Sequence, residues 1–296
     1  MSIIHRSVMT RELLEWLKPL PNGIYLDGTL GSGGHAEAVL EASSPSGRLI
    51  GLDRDEEAVK QSLDRLKPWG DRVDIVQERF SAMEKIAGRL GVTGVNGVFL
   101  DLGWSSDQME NPARGFSVHQ EGPLDMRLDR RQSLTATEIV NTYEEGELSR
   151  LFLEFGGERF AGRIARAIVL QRQDTLFTTT SQLSKTTAHA VPASARHGRR
   201  HVATKVFQAL RMAVNGEMEE LGKGLEAGVR MLRNGGKVAV ITFHSGEDRV
   251  VKQAFRRFEE EGRVRVLTSK PVPASKEECR ENPRARSAKL RVAERT

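Results

Sequence analysis

The chain has 296 residues, 38% hydrophobic and 29% charged, with a formal net charge of +5 and one cysteine, Cys279. That composition excludes a disordered chain, and no run approaches the roughly 18 consecutive apolar residues of a membrane helix. A single cysteine excludes an internal disulfide, and the opening MSIIHRSVMTRELL has no apolar leader segment, so a cytoplasmic setting without a membrane is expected.

In chain order, residues 24–26, 49–52, 73–76 and 98–100 are short apolar runs that read as buried strands. Between them lie amphipathic stretches, such as 56–66 with Ala58, Val59, Leu63 and Leu66 on one face. Strands alternating with helices predict a parallel sheet with right-handed crossovers. The next strong strand, 238–243, comes only after a helix over 217–232 and a turn at 234–236. The interval before it reads as helical over 144–155, 158–171 and 180–190. In the second of these Phe160, Ile164 and Ile168 form one stripe, with Arg159, Arg163 and Arg166 on the other side. The runs 264–267 and 290–292 are expected to close the sheet edge antiparallel. The fold class is therefore α/β, a Rossmann-like doubly wound domain built from residues 1–114 and 206–296, with a helical insert over 115–205.

The chemistry-bearing residues stand at the predicted strand ends. The first strand runs into DGTLGSGGH, a glycine-rich turn that lets backbone approach a ligand closely. Its spacing is not that of the dinucleotide fingerprint G-x-G-x-x-G, which argues against a nicotinamide-dependent oxidoreductase. It reads as the acidic, glycine-rich loop of methyltransferases that holds the methionine end of the cofactor, or as a tight structural turn. The second strand ends at Asp53, 22 positions after Gly31, where a carboxylate can accept ribose hydroxyls. Helix capping is the other reading there and suits Asp55 better. After the third strand, Phe80 is placed to stack on an adenine or to pack in the core.

The fourth strand ends in Asp101-Leu102-Gly103-Trp104-Ser105-Ser106-Asp107-Gln108. A carboxylate beside small hydroxyl residues suits an amine substrate, whose lone pair must be aimed and whose proton must leave. Asp101, Ser105 and Ser106 are the catalytic candidates. His244 joins them because it emerges with Ser245 at the end of the fifth strand, on the same sheet edge; Asp248 reads as a cap of the following helix.

Charge distribution adds a partner. From 175 to 216 there is no Asp or Glu, while Lys185, Arg196, Arg199, Arg200, Lys205 and Arg211 occur with His189, His197 and His201. Such clusters attract a polyanion by counterion release, or form a solvated basic face. Arg196, Arg199, Arg200 and Lys205 are the RNA-binding candidates. His197 and His201 are expected to face RNA or solvent, and no metal-ligand spacing stands out.

DGTLGSGGH, LDRD, LDLGWSSDQ, RGFSV with GPLDMR, ERFAGRIARAI, FQALRMAVN, ITFHSGEDRVVK and NPRARSAKLRVAE together resemble the MraW/RsmH family of small-subunit ribosomal RNA methyltransferases. The resemblance runs from residue 5 to 295. It implies a class I S-adenosylmethionine-dependent methyltransferase domain with an inserted α-helical substrate domain. It also implies N4-methylation of a cytidine in the decoding region of 16S rRNA. Cofactor positions carried over are Gly33, Gly34, His35, Asp53, Phe80, Asp101 and Gln108. This chain departs from the family at Trp104, usually a smaller apolar residue, at Gly157, usually Glu, at Val202, usually Pro, and at Gly246, usually Leu. Two other readings stay open: an N-methyltransferase of another RNA or of DNA, and a ribosome-assembly factor with impaired catalysis. C5-methylation is disfavoured because it needs a cysteine nucleophile, and Cys279 sits in the charged run KEECR.

Overall fold

A computed structural model describes residues 7–104, 106–196 and 201–296, apart from the side chains of Ser106 and Asp107. The strands are β1 Ile24–Asp27, β2 Arg48–Asp53, β3 Val73–Gln77, β4 Val95–Asp101, β5 Leu232–Thr242, β6 Val264–Val266, β7 Val272–Pro273 and β8 Lys289–Arg295. The helices flanking β1 to β4 are α1 Thr10–Leu17, α2 Gly34–Ala42, α3 Glu56–Leu66 and α4 Met83–Arg89. Then come α5 Ser106–Glu110, α6 Ala136–Thr142, α7 Glu145–Glu154, α8 Ala161–Asp174, α9 Thr180–Ala190 and α10 Thr204–Asn215. The last three are α11 Glu217–Met231, α12 Ser245–Glu260 and α13 Lys276–Glu281. No helix among the described residues is long and apolar enough to cross a membrane.

The chain divides into two compact units: Met1–Gly103 with Met218–Thr296, and Trp104–Glu217. The second is wider at both ends than residues 115–205. Its core explains the difference, since Trp104 packs against one apolar cluster that joins the α10 residues Val206, Phe207, Leu210 and Val214 to Phe152, Ile164 and Leu183.

In the first unit the sheet order is β3-β2-β1-β4-β5-β8-β6, with β7 paired to β8. Pairs among β1 to β5 are parallel and those made by β8 are antiparallel. The chain order reverses direction between β1 and β4, the topological switch at whose carboxyl ends such sheets bind ligands. Both faces are covered, which is why the strands read as nearly continuous apolar runs. Leu26, Ile50, Val98, Leu100 and Val240 pack with Leu221 and Leu225 of α11 and Phe255 of α12. Their neighbours Tyr25, Leu49, Phe99 and Ile241 pack on the other face with Leu13 of α1 and Leu40 of α2.

Several sequence expectations are corrected. Leu63 is 53% exposed, because the inner face of α3 is made by Ala58, Ser62 and Leu66. The turn at 234–236 is a bulge inside β5: the register steps from Val95 opposite Leu232 to Gly97 opposite Lys237, with Gly235 at φ +75°. Helix α8 starts three residues late, since Gly157 adopts φ +59° and the Glu158 carboxylate accepts the Phe160 amide, ending the previous turn. Asp248 does not cap α12. It pairs with Arg291 of β8 at 2.7 Å, and that arginine side chain is only 5% exposed.

The second unit is held from inside by polar side chains. Arg114 is buried and donates to the Arg127 and Leu128 carbonyls. Asn215, at the end of α10, donates to the Met126 carbonyl and accepts the Leu128 amide. These bonds hold buried Met126 at φ +63°, a conformation rarely adopted by a side chain of that size.

Burial pushes the Asp248 carboxyl up, but the Arg291 bond and the charges of Arg291, Lys289 and Lys252 together hold it below the usual range. Such a group stabilises fully above its unfolded value of about 3.9 and loses that contribution as pH falls through the lower folded value. Asp248→Asn is therefore expected to cost about 3 kcal/mol at neutral pH by urea unfolding, with wild type and variant converging in acid.

Candidate active site

The site is built at the carboxyl ends of β1, β2 and β4. Asp27 ends β1 at 1% exposure. Its Oδ1 accepts the Thr29 amide at 3.0 Å, and its Oδ2 has no hydrogen-bond partner among the described residues. Burial pushes its carboxyl well above the usual carboxylate range, and the negative charges of Asp101 and Asp53 push the same way against the pull of the Thr29 amide. The sequence reading quoted this residue in its motif but did not single it out; the signal was an acid at the last position of an otherwise apolar strand.

The loop after Asp27 is shaped by backbone. Gly33, at φ +81°, caps α2, a conformation that favours glycine. At Gly34 a Cβ would run into the Ser7 hydroxyl, so the α2 N-terminus stays bare backbone. Asp53 closes the loop from the neighbouring strand: Oδ2 accepts the Gly31 amide at 2.8 Å and Oδ1 the Asp55 amide at 2.9 Å. A carboxylate has about four lone-pair sites, so both oxygens keep capacity for ribose hydroxyls. Burial raises the Asp53 pKa, and the Asp55 and Gly31 amides pull it back. Asp55 caps α3 through the Glu57 amide at 3.1 Å.

Asp101, at the end of β4, is tied to the same loop. Its amide donates to Thr29 Oγ1 at 2.6 Å, its Oδ1 accepts the Gly103 amide at 3.2 Å, and its Oδ2 lies 3.6 Å from Nδ1 of buried His35. The other ring nitrogen of His35 lies 2.8 Å from the Val8 carbonyl, which can only accept, so Nε2 carries a proton. His35 thus stands beside Asp101 with its side chain, while its backbone lies in the first turn of α2.

Four candidates have other employment. Phe80 is 8% exposed and lies in the core, its ring close against Gly224 of α11. The turn that carries it is fixed by Glu220, whose carboxylate accepts both the Ser81 amide and hydroxyl. His244 is the N-cap of α12: Nδ1 accepts the Glu247 amide at 3.3 Å, and Nε2 lies 3.0 Å from Glu247 Oε1, close enough to pair but not aligned as a hydrogen bond. Nδ1 is committed to the helix's own first turn, while Nε2 has no hydrogen-bond partner among the described residues. Arg196 folds back to the Val191 and His189 carbonyls at the end of α9, and Lys205 donates to the Gly157 carbonyl at 2.8 Å.

Gln108 is half-buried on α5, in the second unit. Ser105, the Ser106 side chain, His197, Arg199 and Arg200 lie outside the described residues. His201 is half-buried rather than free, its ring 5.6 Å from His119 and its Nδ1 accepting the Ala203 amide.

Three carboxylates at adjoining strand ends, one of them buried with an unpaired oxygen, favour a cationic ligand, and the glycine turn beside them leaves room for close backbone approach. On a doubly wound sheet this is the arrangement of a class I S-adenosylmethionine-dependent methyltransferase, whose cofactor carries a sulfonium and an ammonium group. The residues present fit that cofactor: buried Asp27 with its unpaired oxygen suits positive charge, Asp53 keeps lone pairs for hydroxyl groups, and the α2 N-terminus suits a carboxylate.

Comparison with known proteins agrees with this class. Residues 2–296 match the MraW methylase family. Ribosomal RNA small subunit methyltransferase H of Geotalea uraniireducens is 46% identical over 306 residues, covering 98% of each chain. The protein of the same name from Symbiobacterium thermophilum is 47% identical, covering 99% of this chain and 96% of its own. Among solved structures, an rRNA methylase from Streptococcus thermophilus overlaps 99% of both chains at 10% identity and a TM-score of 0.45, too loosely to argue from. The chain belongs to the MraW methylase family.

The raised pKa of Asp27 sets a test. A carboxyl whose folded pKa lies above its unfolded value stabilises fully below the unfolded value and loses that contribution as pH rises through the folded one. Asp27→Asn, measured by urea unfolding without ligand, is therefore expected to gain on wild type progressively as the pH is raised from acid to neutral.

Proposed function

We propose that this chain transfers the methyl group of S-adenosylmethionine to the N4 amine of a cytidine in the decoding region of 16S rRNA, acting on the small ribosomal subunit in the cytoplasm. The substrate follows the names of the full-length relatives, and the amine and its base follow the family resemblance. The observation that carries the chemistry is Asp101, a braced carboxylate at the strand end beside the glycine loop.

When bound, the cofactor supplies an electrophilic methyl group on sulfur. Gly33, Gly34 and the first turn of α2 at His35 hold its methionine end, with Asp27 balancing its positive charge. Asp53 accepts the ribose hydroxyls. Phe80 acts from behind, packing under the loop so that Gly28 and the strand ends keep their place. Gln108 completes the carried-over cofactor positions.

Asp101 does the aiming. One carboxylate oxygen accepts an amine hydrogen, which turns the nitrogen lone pair towards the methyl group. The Gly103 amide holds one oxygen of that carboxylate, so little is lost to reorganisation during transfer. The amine proton leaves to Asp101 or, after transfer, to water. Ser105 and Ser106 follow in the chain as the hydroxyl neighbours of the amine. His244, occupied in its helix cap, takes a positioning role. A base turned out of any stack is the natural target, since a paired or stacked amine is hard to reach. Arg199 and Arg200 extend the RNA contact, while Arg196 and Lys205 shape the segments around it.

The test is methyl transfer from labelled S-adenosylmethionine to small subunits lacking the modification, followed by nucleoside mass analysis. Label in N4-methylcytidine is the expected result; label in another nucleoside, or in DNA only, overturns the substrate. In the same assay Asp101→Asn is expected to lower kcat by about 100-fold or more while cofactor affinity changes little. Asp53→Asn is expected to act the other way, weakening cofactor binding by about tenfold or more, the loss of one or more charge-assisted bonds.

A further inference from the structure

Most cations of the second unit are committed. Arg127 and Arg131 are held by Asp125 and Asp129, Arg211 is held bidentately by Glu217, and Arg172 donates to the Val140 and Tyr143 carbonyls. Arg159, Arg163 and Arg166 are not, and neither are Arg130 before α6, Arg150 of α7 and Lys185 of α9, but only the first three follow closely in the chain. All three are exposed, and none forms an ion pair among the described residues. Arg163 and Arg166 stand on the first turns of α8, about 4.5 Å apart along its axis, and Arg159 lies in the turn just before it. Arg159 is fixed at one end by its guanidinium lying 4.6 Å over the Phe160 ring.

The surroundings keep this stripe positive. Between Arg159 and Gly216 the only acid is Asp174, at the far end of α8. Glu158 is 6% exposed and turned inward to accept the Phe160 amide. Glu154, exposed at the end of α7, pairs with none of the three arginines. Exposed Lys205 sits on the adjoining turn, bonded to the Gly157 carbonyl. Positive side chains near the first turn of a helix oppose its dipole, a cost to the free protein that an external anion offsets. The opposite side of α8 is wholly structural, with Ile164 and Ile168 at 0% exposure in the core, so the arginines contribute nothing to packing there.

We propose that Arg159, Arg163 and Arg166 form the surface on which the second unit grips the phosphate backbone of its RNA substrate, a contact that positions the strand without reading its bases. This rests on the reading of RNA as the substrate. Guanidinium groups suit phosphate because they present two parallel donors. The surface adds to Arg196 and Lys205, which the sequence suggests for that role and which are bonded to backbone carbonyls.

The test is binding of naked 16S rRNA and of unmodified small subunits to the full chain over a series of salt concentrations. The comparison is wild type, Arg159→Glu/Arg163→Glu/Arg166→Glu and, as a charge control in the other unit, Arg265→Glu. The triple variant is expected to bind naked rRNA at least about tenfold more weakly, with the log–log salt slope reduced by about 2, as three lost single-strand contacts require. Its cofactor affinity should equal wild type, which also reports that it is folded. Equal affinity and slope in the triple variant and wild type overturn the surface. Weakened subunit binding with unchanged naked rRNA binding also overturns it, since the stripe would then meet a ribosomal protein. If wild type itself shows no salt-dependent RNA binding, the substrate reading fails and this proposal fails with it.

Discussion

A carboxylate buried at the end of β1 with one oxygen unpaired is costly unless something positive meets it. Asp27 is in that state, and Asp53 and Asp101 stand at neighbouring strand ends, so each makes the ionised form of Asp27 less favourable. The rest of the edge is arranged around this cost. The Thr29 amide serves Asp27, the Thr29 hydroxyl receives the Asp101 amide, and Asp53 holds Gly31 from the other side. One loop of glycines therefore connects three carboxylates and keeps them in place before any ligand arrives. A cofactor bearing positive charge relieves the repulsion that the free protein stores there.

The second unit solves the reverse problem. Its buried polar groups, Arg114 and Asn215, are donors that hold carbonyls of an irregular segment around Met126. Three of its exposed or half-exposed arginines, Arg127, Arg131 and Arg211, are neutralised by acids two or six residues away. The arginines at Arg159, Arg163 and Arg166 differ in following one another closely in the chain with no acid bound to them. Catalytic charge and docking charge thus have opposite signs and belong to different units, as a cationic cofactor and an anionic substrate require.

Much of this was legible in the sequence. Continuous apolar runs at 49–52 and 98–100 mark the strands because each neighbour feeds a different face of a doubly covered sheet. The spacing from Gly31 to Asp53 was readable because that carboxylate binds that glycine's amide. What could not be read depended on tertiary partners. Nothing local says that Asp248 meets Arg291, 43 positions away, instead of capping its own helix, or that His244 caps it instead. The bulge in β5 looked like a turn because a positive-φ glycine suits both. Lys205 and Arg196 looked free because the carbonyls they serve belong to backbone, which sequence charge counts ignore. Asp27 was overlooked because its importance lies in a missing partner.

Buried Asp27 resists ionisation until a cationic cofactor binds. Calorimetric titration of S-adenosylmethionine in buffers of different ionisation enthalpy, over a pH series rising from the usual carboxylate range, tests this most directly, since the slope of observed heat against buffer enthalpy counts protons exchanged. Proton release on binding is expected within that series for wild type and markedly less for Asp27→Asn. Binding of the same affinity with no proton release in either protein would contradict it.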